Sequence, residues 1–415
     1  MPDDILMKAQ ESDAPFGVLK INVFLSNIGF PAGNVRVTVY DTENEAVLWE
    51  QTTDSEGQLP PLRLPAPPLE NSLDSTMPRP FSEYNIRASL EGFEDAFIRN
   101  VQIYPDTTAI QNISLIPLYE SIIIPYPALW GSFPPKIPES SLKRLPFPGN
   151  LSVLPEPVVP ELIVVHDGAP QDRAAPNYTL GFKDYIKNAA SSEIYASWPR
   201  EALKANILAI LSFTMNRVYT EWYRSKGYDF TITSSTAYDQ AFSYGRNVFQ
   251  EISDIVDEVF TMYISKTDIT QPLFTQYSDG VRVIRDGWLS QWGSKALAEQ
   301  GYSAIQILKY YYGYDIVLRE ARRVAGIPMS FSGVLSVGSS GEAVRMIQSQ
   351  LNRISNNYPL IGRLVADGIY GERTASSVRK FQEVFDLPVT GTVNFPTWYR
   401  ISDVFNAVTD SGTAT

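Results

Sequence analysis

The sequence contains no cysteine and a single histidine, His166. Without thiols the chain has no disulfide framework, no thiolate zinc site and no cysteine nucleophile, and one imidazole excludes any mechanism that needs two. An enzyme of this composition has to work mainly with carboxyl groups, hydroxyls, amides and cations. We therefore expect neither a metal nor another cofactor, and for His166, which follows an apolar segment, we expect a structural role at a strand end.

Long apolar runs and excess positive charge are also missing. No run approaches the ~20 apolar residues of a membrane span, and the longest candidate, Ile122 to Ile124, is stopped by Pro125. The first residues are acidic where a secretory signal would be basic. A net charge of −12 repels polyanions, so nucleic acid is not an expected partner. These features predict a soluble chain, made in the cytoplasm, that reaches its site of action by lysis, by a non-classical route or by enclosure within another cell.

A length of 415 residues with 44% apolar content predicts two or three globular domains. The fold class that we expect is multidomain, with an N-terminal β-sandwich, a central mixed α+β domain of catalytic type and a C-terminal three-helix domain. The expected boundaries are 1–16 for a disordered N-terminus, 17–117 for the β-sandwich, 118–160 for a proline-rich linker, 161–328 for the central domain, 329–407 for the three-helix domain and 408–415 for a disordered tail.

The first domain is predicted from short segments that alternate apolar and polar residues, as strands with one buried face do. Roughly seven such segments over about a hundred residues fit a β-sandwich. The order of the motifs resembles prealbumin-like domains of the carboxypeptidase-regulatory type. These motifs are a strand at 37–41, a Thr-Asp-x-x-Gly turn at 53–57, and a Tyr-x-Ile strand at 84–86 followed by Glu-Gly-Phe at 91–93. The resemblance implies an adhesive or spacer module without catalytic residues.

The next segment is rich in proline: residues 117–160 hold eleven of the thirty prolines. Such density excludes a helix or a central strand, because proline lacks the backbone donor and fixes φ. We expect an extended, stiff connector. Its apolar residues predict that it packs along a neighbouring domain.

Helical periodicity begins after this connector. The spacing predicts a strand at 162–165, helices at 182–195, 199–219 and about 238–263, and short strands near 274–277 and 281–284. The C-terminal domain is predicted to contain helices at 342–354 and 372–385 and a short third helix at 396–401.

The C-terminal segment has the most specific motifs: Gly-Ser-Ser-Gly-Glu at 338–342, Asp-Gly-Ile-Tyr-Gly at 367–371, Lys-Phe-Gln at 380–382 and Thr-Trp at 397–398. It resembles the three-helix peptidoglycan-binding domain of bacterial wall hydrolases, although Asn394 stands where the second repeat usually has glycine. The resemblance implies peptidoglycan glycan strands as the partner, whereas the residues themselves also allow a purely structural role. The expected wall-binding residues are Asp367, Tyr370, Arg373 and Trp398.

The central segment carries a second resemblance. Several blocks of this segment are similar, in the same order, to blocks of the stage II sporulation protein D family. They are residues 184–194 and 198–206, Ser-Gln-Trp-Gly at 290–293, and Gln-Gly-Tyr at 300–302 followed by Ile-Leu-Lys-Tyr-Tyr-Tyr at 307–312. Members are lytic transglycosylases that cleave peptidoglycan glycan strands with one catalytic glutamate, and by motif position that residue is Glu193. The resemblance also implies substrate-binding roles for Ser192, Trp198, Tyr238, Asp239, Gln240, Ser290 and Gln291.

Helical spacing selects the same glutamate independently. Ile186, Ala189, Ala190 and Glu193 recur at i, i+3, i+4 and i+7, so the carboxyl group lies on the inward face of the helix. A carboxyl group in a partly apolar cleft suits a general acid, and lytic cleavage needs only one, whereas the usual hydrolases need two at a defined separation. The alternative is a carboxylate near a helix end, satisfied by Ser192 or by a neighbouring cap.

Two departures from the family pattern leave the activity open. Leu211 occupies a position that is usually cationic, and Asp286-Gly287 replaces a His-Gly pair. Either the site is reorganised around Glu193, with Asp286 as a polar orienting residue, or the domain binds glycan without turnover. We thus expect a wall or spore-cortex lytic transglycosylase anchored by its C-terminal domain. The alternative is a non-enzymatic spore, wall or phage-tail-like particle protein that only binds peptidoglycan. The sequence does not identify protein partners.

Overall fold

The computed structural model describes residues 15–25, 28–42, 45–115, 122–131, 134, 136–143, 156–321, 323–324 and 333–409. Of the two predicted disordered ends, residues 1–14 and 410–415 lie outside this description. Among the described residues no helix is long and apolar enough to cross a membrane.

The N-terminal region consists of seven strands that alternate buried and more exposed residues. They are β1 (Phe16–Phe24), β2 (Arg36–Asp41), β3 (Val47–Thr52), β4 (Leu62–Pro65), β5 (Ser82–Ser89), β6 (Ala96–Ile103) and β7 (Thr108–Ser114). Strands β3, β2, β5 and β6 form one sheet in that order, and β7, β1 and β4 form the other. The side chains of Val37, Val39, Leu64 and Val101 are fully buried in its core.

Later parts of the chain extend both sheets. Strand β8 (Ile122–Ile123) adds in parallel to β6, and β13 (Val248–Phe249) pairs antiparallel with β7. The β region is therefore joined to the central part by backbone hydrogen bonds, and is more than a spacer attached through a connector.

The predicted helix at 238–263 is wrong over its first half. The helix begins only at Gln250, because residues 248–249 are recruited as strand β13 and Gly245 turns the chain with φ +75°. A Cβ at Gly245 would lie 2.5 Å from the side chain of Ile122, so glycine is required for this turn.

The central part packs helices around one buried helix. Its helices are α1 (Phe182–Glu193), α2 (Arg200–Tyr219), α3 (Gln250–Val259), α4 (Gln291–Glu299) and α5 (Ala304–Tyr312). Seventeen of the twenty residues of α2 are buried, which is typical of a helix with apolar residues on all sides. Several of its buried polar side chains bond to neighbouring segments; Ser212, for example, donates to the carbonyl of Leu273 at 2.9 Å.

The central part also contains short strands. They are β9 (Val158–Val159), β10 (Leu162–His166), β11 (Asn177–Gly181), β12 (Ile232–Thr233), β14 (Met262–Lys266), β15 (Tyr277–Ser278), β16 (Leu289–Ser290), β17 (Ile316–Glu320) and β18 (Arg323–Val324). Strand β10 lies between β11 and β12, β14 pairs with β17, β15 with β16 and β9 with β18.

The strand predicted at 281–284 is wrong. These residues form a turn around Asp279, whose Oδ1 accepts the backbone N–H groups of Val281, Arg282 and Val283 at 3.1 to 3.2 Å. A side chain that takes up three consecutive backbone donors removes them from any strand ladder.

The described parts of the proline-rich segment lie along the central part. The backbone N–H of Ala128 donates to the carbonyl of Ser192 at 2.7 Å, and that of Ile137 donates to the carbonyl of Ala237 at 2.6 Å. Farther along, the carbonyl of Ser141 accepts the N–H of Phe274 at 2.9 Å. Backbone hydrogen bonds thus fix the path of a segment that proline keeps out of helices and central strands.

The C-terminal part contains α6 (Glu342–Ile354), α7 (Glu372–Val384) and α8 (Phe395–Thr409). The third helix is longer than the predicted 396–401, because Ile401, Val404 and Val408 continue its buried face. The guanidinium of Arg353 also donates to the carbonyl of Val408 near the end of α8.

Two buried glutamines hold the turns of this C-terminal part. Gln348 Oε1 accepts the N–H of Gly368 at 2.8 Å, and Gln382 Oε1 accepts the N–H groups of Thr390 and Gly391 at 2.9 and 2.8 Å. Gln382 Nε2 donates in turn to the carbonyl of Thr392 at 2.9 Å. Each helix therefore fixes the glycine turn that follows it.

We predict that Gln382→Ala destabilises the C-terminal part by about 2–3 kcal/mol, because it leaves the buried N–H of Gly391 without an acceptor. Hydrogen exchange of residues 342–409, followed by mass spectrometry, measures this as a loss of protection. Lys380→Ala, on the exposed face of the same helix, is the matched control and should change stability by less than about 0.5 kcal/mol. Equal protection in the two variants would contradict the role of Gln382.

Candidate active site

Glu193 ends helix α1, and its side chain is buried, with 3% of the residue exposed. Its Oε1 accepts the backbone N–H of Ala241 at 2.8 Å and the hydroxyl of Tyr277 at 3.0 Å. Its Oε2 accepts Nε2 of Gln291 at 3.2 Å. Ser192, the alternative partner considered from the sequence, instead donates to the carbonyl of Asn188 at 2.9 Å. Three donors from three different parts of the chain thus converge on this carboxyl group.

The carboxyl group lines a cavity of about 160 Å³. The cavity combines aromatic, charged and amide side chains, as sites for polar ligands do. Its lining consists of Ala128, Pro134, Lys136, Glu193, Thr236, Tyr277, Ser278, Asp279, Arg282, Val283, Trp288 and Gln291.

The Ser-Gln-Trp-Gly block places one of these donors. Ser290 is the N-cap of α4, and its Oγ accepts the N–H of Gly293 at 2.9 Å, so Gln291 becomes the first helical residue and faces Glu193. A Cβ at Gly293 would lie 2.1 Å from the hydroxyl of Tyr311, so only glycine fits there. The structure brings Gln291 to the cavity and gives Ser290 a capping role.

A buried ion pair fixes the loop that supplies the N–H of Ala241. Asp239 Oδ1 accepts Nε of Arg217 at 2.7 Å, and Asp239 Oδ2 accepts the hydroxyl of Tyr223 and the N–H of Thr233 at 2.7 and 2.9 Å. Although burial opposes the charge, Asp239 and Glu139 keep the pKa of Arg217 above its ordinary value. Asp239 does not line the cavity, and its hydrogen bonds hold the loop in place.

The neighbours of Asp239 are placed differently. Gln240 is buried, and its Oε1 accepts the hydroxyl of Tyr185 at 2.9 Å. Tyr238 is partly exposed and contacts Gln171 at 3.5 Å. Neither belongs to the cavity lining, so the structure brings only the backbone of this loop to Glu193.

The structure also places the remaining predicted residues of the central part away from the cavity. The indole of Trp198 is buried and donates to the carbonyl of Ser72 at 2.9 Å, a contact with the N-terminal region. Ser192 accepts a hydrogen bond from Arg246 at 3.0 Å. Asp286 is exposed and does not line the cavity, and Leu211 is fully buried in the core.

Sequence reasoning missed Lys136, Tyr277 and Arg282. Tyr277 lay in a predicted strand, but nothing in its spacing indicated that its hydroxyl meets a carboxyl group. Burial raises the pKa of Tyr277 well above its ordinary value, so the phenol keeps its proton and donates. Burial lowers the pKa of Lys136 to about 8, against the opposing charges of Glu193 and Asp239.

His166 has the structural position expected of it. Its Nδ1 lies 2.8 Å from Oδ1 of Asn177, its Nε2 lies 3.1 Å from the carbonyl of Ala169, and its ring stacks on Phe230. Within the described ranges, no three His, Cys, Asp or Glu side chains are grouped so that they could hold a metal ion.

The four predicted wall-binding residues are divided between core and surface. Tyr370 and Trp398 are buried, and the Tyr370 hydroxyl donates to the carbonyl of Gly391 at 2.9 Å. Asp367 accepts the N–H of Ile369 at 2.9 Å, and this backbone hydrogen bond lowers its pKa. Arg373 is exposed. The structure thus leaves Asp367 and Arg373 as the two of the set that wall polymer can reach.

Comparisons with known proteins match two parts of the chain. Residues 172–265 match the family model described as stage II sporulation protein, and residues 340–401 match the model described as a peptidoglycan binding domain. The first range contains Glu193 and ends before Gln291. The chain thus combines a segment similar to stage II sporulation proteins with a segment similar to peptidoglycan-binding domains.

Individual proteins also match parts of the chain. A zinc D-Ala-D-Ala carboxypeptidase of Streptomyces albus G is 37% identical over 78 residues, which are 18% of this chain and 29% of that protein. Among solved structures, the SleB N-terminal domain is 34% identical, with a TM-score of 0.16, and the match covers 18% of this chain and 99% of that one. A 5-hydroxyisourate hydrolase of Klebsiella pneumoniae is 16% identical, with a TM-score of 0.16, over 24% of this chain and 85% of that one. The likeness of the N-terminal region to prealbumin-like domains stays a prediction.

We predict that Arg217→Met lowers the free energy of unfolding by about 3–5 kcal/mol, because it leaves the carboxylate of Asp239 buried without its cation. Urea denaturation followed by circular dichroism measures the loss. Arg224→Met is the control, since Arg224 is half-exposed and lies 4.0 Å from Glu221, and should cost less than about 1 kcal/mol. A similar loss in both variants would show that the buried Arg217–Asp239 pair contributes no more to stability than an exposed ion pair.

Proposed function

We propose that this protein is a peptidoglycan lytic transglycosylase in which Glu193 is the catalytic acid and base. The observation that carries the proposal is the position of its carboxyl group, buried and at the wall of a cavity of about 160 Å³. The matched stage II sporulation protein segment, which contains this residue, supports a cell-wall-degrading activity in general.

The chemistry needs one carboxyl group that acts twice. In the first step protonated Glu193 gives its proton to the glycosidic oxygen, and the bond from that oxygen to C1 of the muramyl sugar breaks. In the second step the C6 hydroxyl of the same sugar attacks C1, and the Glu193 carboxylate accepts the hydroxyl proton. The products are a free hydroxyl end and a 1,6-anhydro end, and no water is consumed.

The hydrogen bonds of Glu193 suit this double role. Oε1 accepts two donors, from Ala241 and Tyr277, whereas Oε2 accepts one, from Gln291. Because a carboxylate oxygen has two lone pairs, Oε2 is the oxygen with room for a proton. The donors hold the group in one orientation, and orientation is what a positioned acid requires.

The second carboxyl group of the cavity is occupied elsewhere. Asp279 accepts three backbone N–H groups through Oδ1 and pairs with Arg282 through Oδ2. Although burial acts in the opposite direction, these hydrogen bonds hold the pKa of Asp279 below its ordinary value. A hydrolase would need a second carboxylate free to act as a nucleophile or as a base for water. The engaged state of Asp279 therefore favours lytic cleavage by a single group.

The C-terminal part supplies the attachment to substrate. A domain that binds peptidoglycan holds the chain on an insoluble polymer and raises the local concentration of glycan at the cavity. Weak binding in the cavity itself is then sufficient. Asp367 and Arg373 are the exposed residues that we assign to this attachment.

A structural binding protein is the second candidate. It is favoured by the buried Leu211, which stands where the related proteins usually carry a cation, and by the absence of Asp286 from the cavity lining. In that case both wall domains adhere to peptidoglycan and Glu193 is only a well-paired buried carboxylate.

We predict that the chain releases 1,6-anhydro-muramyl ends from purified peptidoglycan or spore cortex and that Glu193→Gln lowers the rate at least about 100-fold, since general acid–base catalysis contributes that much or more. Mass spectrometry of the soluble products measures the ends. The substitution keeps the shape of the side chain and removes its titratable proton.

Glu251→Gln is the matched control for that experiment. Glu251 is a partly buried glutamate on a helix and accepts the N–H of Thr108 at 3.2 Å, but it does not line the cavity. We expect full activity from this variant. Full activity of Glu193→Gln would refute the catalytic assignment.

We further predict that Glu193→Gln co-sediments with insoluble peptidoglycan as the unsubstituted chain does, because attachment depends on residues 340–401. The bound fraction after centrifugation measures it. Binding by both proteins with no anhydro ends from either would favour the structural candidate, and loss of binding in the variant would place the attachment at the cavity.

A further inference from the structure

The proline-rich segment supplies one wall of the cavity. Ala128, Pro134 and Lys136 all belong to it and line the space into which Glu193 faces. The guanidinium of Arg282 holds the first part of this wall, because it donates to the carbonyls of Gly131 and Ala128. The segment lies outside residues 172–265, the range that matches the sporulation-protein model.

Lys136 is held firmly in this wall. The next backbone N–H, of Ile137, donates to the carbonyl of Ala237 at 2.6 Å, and the carbonyl of Ile137 accepts Nε2 of Gln276 at 3.1 Å. The Lys136 ammonium lies 3.2 Å from the centre of the Tyr277 ring. It is buried and has no hydrogen-bond acceptor among the described residues.

Of the carboxyl groups near this ammonium, only one is not already paired with another cation. Glu193 and Asp239 are the nearby anions, and Arg217 is the nearby cation. Asp239 is already paired with Arg217 at 2.7 Å. Of the groups at the cavity lining, Asp279 is paired with Arg282. Glu193 has only neutral donors as direct partners, so the field of Lys136 acts mainly on that residue.

We propose that Lys136 is a positioning residue for Glu193, with its ammonium held over the Tyr277 ring so that a positive charge stays beside the catalytic carboxyl group. The proposal rests on the proposed function. It makes the proline-rich segment a working part of the site, since the helices and strands of the central part do not supply this cation.

Two effects of the charge follow from the geometry. A cation on the face of a phenol ring withdraws electron density, and the Tyr277 hydroxyl becomes a stronger donor to Oε1 of Glu193, which it meets at 3.0 Å. The ammonium also stabilises the carboxylate that forms once the glycosidic oxygen has taken the proton. Such a fixed charge in a partly dry site stabilises the developing anion more than water would.

The test uses the full chain and the pH dependence of the release of anhydro ends. Without the cation, a carboxyl group keeps its proton to higher pH, so Lys136→Met should move the alkaline limb of the rate profile upward by about one pH unit. Lys143→Met is the control in the same segment. Lys143 is also buried, but it pairs with Glu139 and does not line the cavity, and its removal should leave the limb in place.

The absence of cysteine from the chain allows a sharper comparison. In Lys136→Cys the new thiol is the only one, so it can be alkylated alone, with 2-bromoethylamine to restore an ammonium or with bromoethane to give a neutral side chain of similar size. We expect the aminoethylated protein to recover the alkaline limb of the unsubstituted chain. The ethylated protein should follow Lys136→Met.

The outcomes separate the proposal from the proposed function. The role of Lys136 is overturned if the aminoethylated and ethylated proteins have the same alkaline limb of the rate profile, or if Lys136→Met does not shift it. Glu193 remains the acid in that case, provided that Glu193→Gln is inactive. Release of no anhydro ends by the unsubstituted chain overturns the proposed function and this proposal with it. Only a shift that the restored charge reverses supports Lys136 as the positioning residue.

Discussion

The buried pair between Arg217 and Asp239 is the interaction on which the site depends. Arg217 comes from α2, the helix around which the central part packs, and its guanidinium also pairs with Glu139 of the proline-rich segment at 2.9 Å. One cation therefore fixes two irregular segments that have little secondary structure of their own. The first carries the N–H of Ala241, and the second carries Lys136. A charge buried this deeply is tolerated only with such full pairing, and both segments are held as a consequence.

The sequence contained enough information to single out Glu193, the proposed acid, but too little to locate most of its surroundings. A period of 3.6 residues places Glu193 on the inward face of α1, and the Ser-Gln block places Gln291 at the first position of α4 through the Ser290 cap. Both are local relations along one helix. The Tyr277 hydroxyl meets Glu193 from 84 positions away along the chain, and Lys136 contacts the ring of Tyr277 rather than a neighbour in sequence, so no local period predicts either contact. The same limit explains the misplaced start of α3, because residues 248–249 become a strand only through pairing with β7.

Contacts among the three parts of the chain hold the cavity and the wall-binding region in one arrangement. Asp386, which follows α7, pairs with Lys20 of β1 at 2.8 Å, and its carbonyl accepts Nε2 of Gln250 at 2.9 Å. The amide of Gln58 donates to the carbonyl of Val384 at 2.7 Å. A rigid attachment differs from a flexible tether: it fixes the direction in which a bound strand meets the cavity, besides raising its local concentration. The N-terminal β region takes part in this arrangement, which gives it a role beyond separation of the other two parts.

A cavity lined by two carboxyl groups suits the proposed single-carboxyl mechanism when the second group is already occupied by hydrogen bonds and an ion pair. One carboxylate oxygen of Asp279 accepts the backbone N–H groups of a turn, and the other pairs with Arg282. The guanidinium of Arg282 in addition donates to a carbonyl of the proline-rich segment. Asp279 is therefore not free to act as the second carboxylate of a hydrolase. Through Arg282 it instead helps to hold the proline-rich segment that carries Lys136. Glu193 is left as the carboxyl group whose direct partners are neutral, and of the cations near it Arg217 and Arg282 are paired with aspartates, whereas Lys136 has no hydrogen-bond acceptor among the described residues. A chain without cysteine and with one histidine outside the cavity lining has few other ways to move a proton, so the proposed mechanism assigns that task to Glu193 while Asp279 has a structural role.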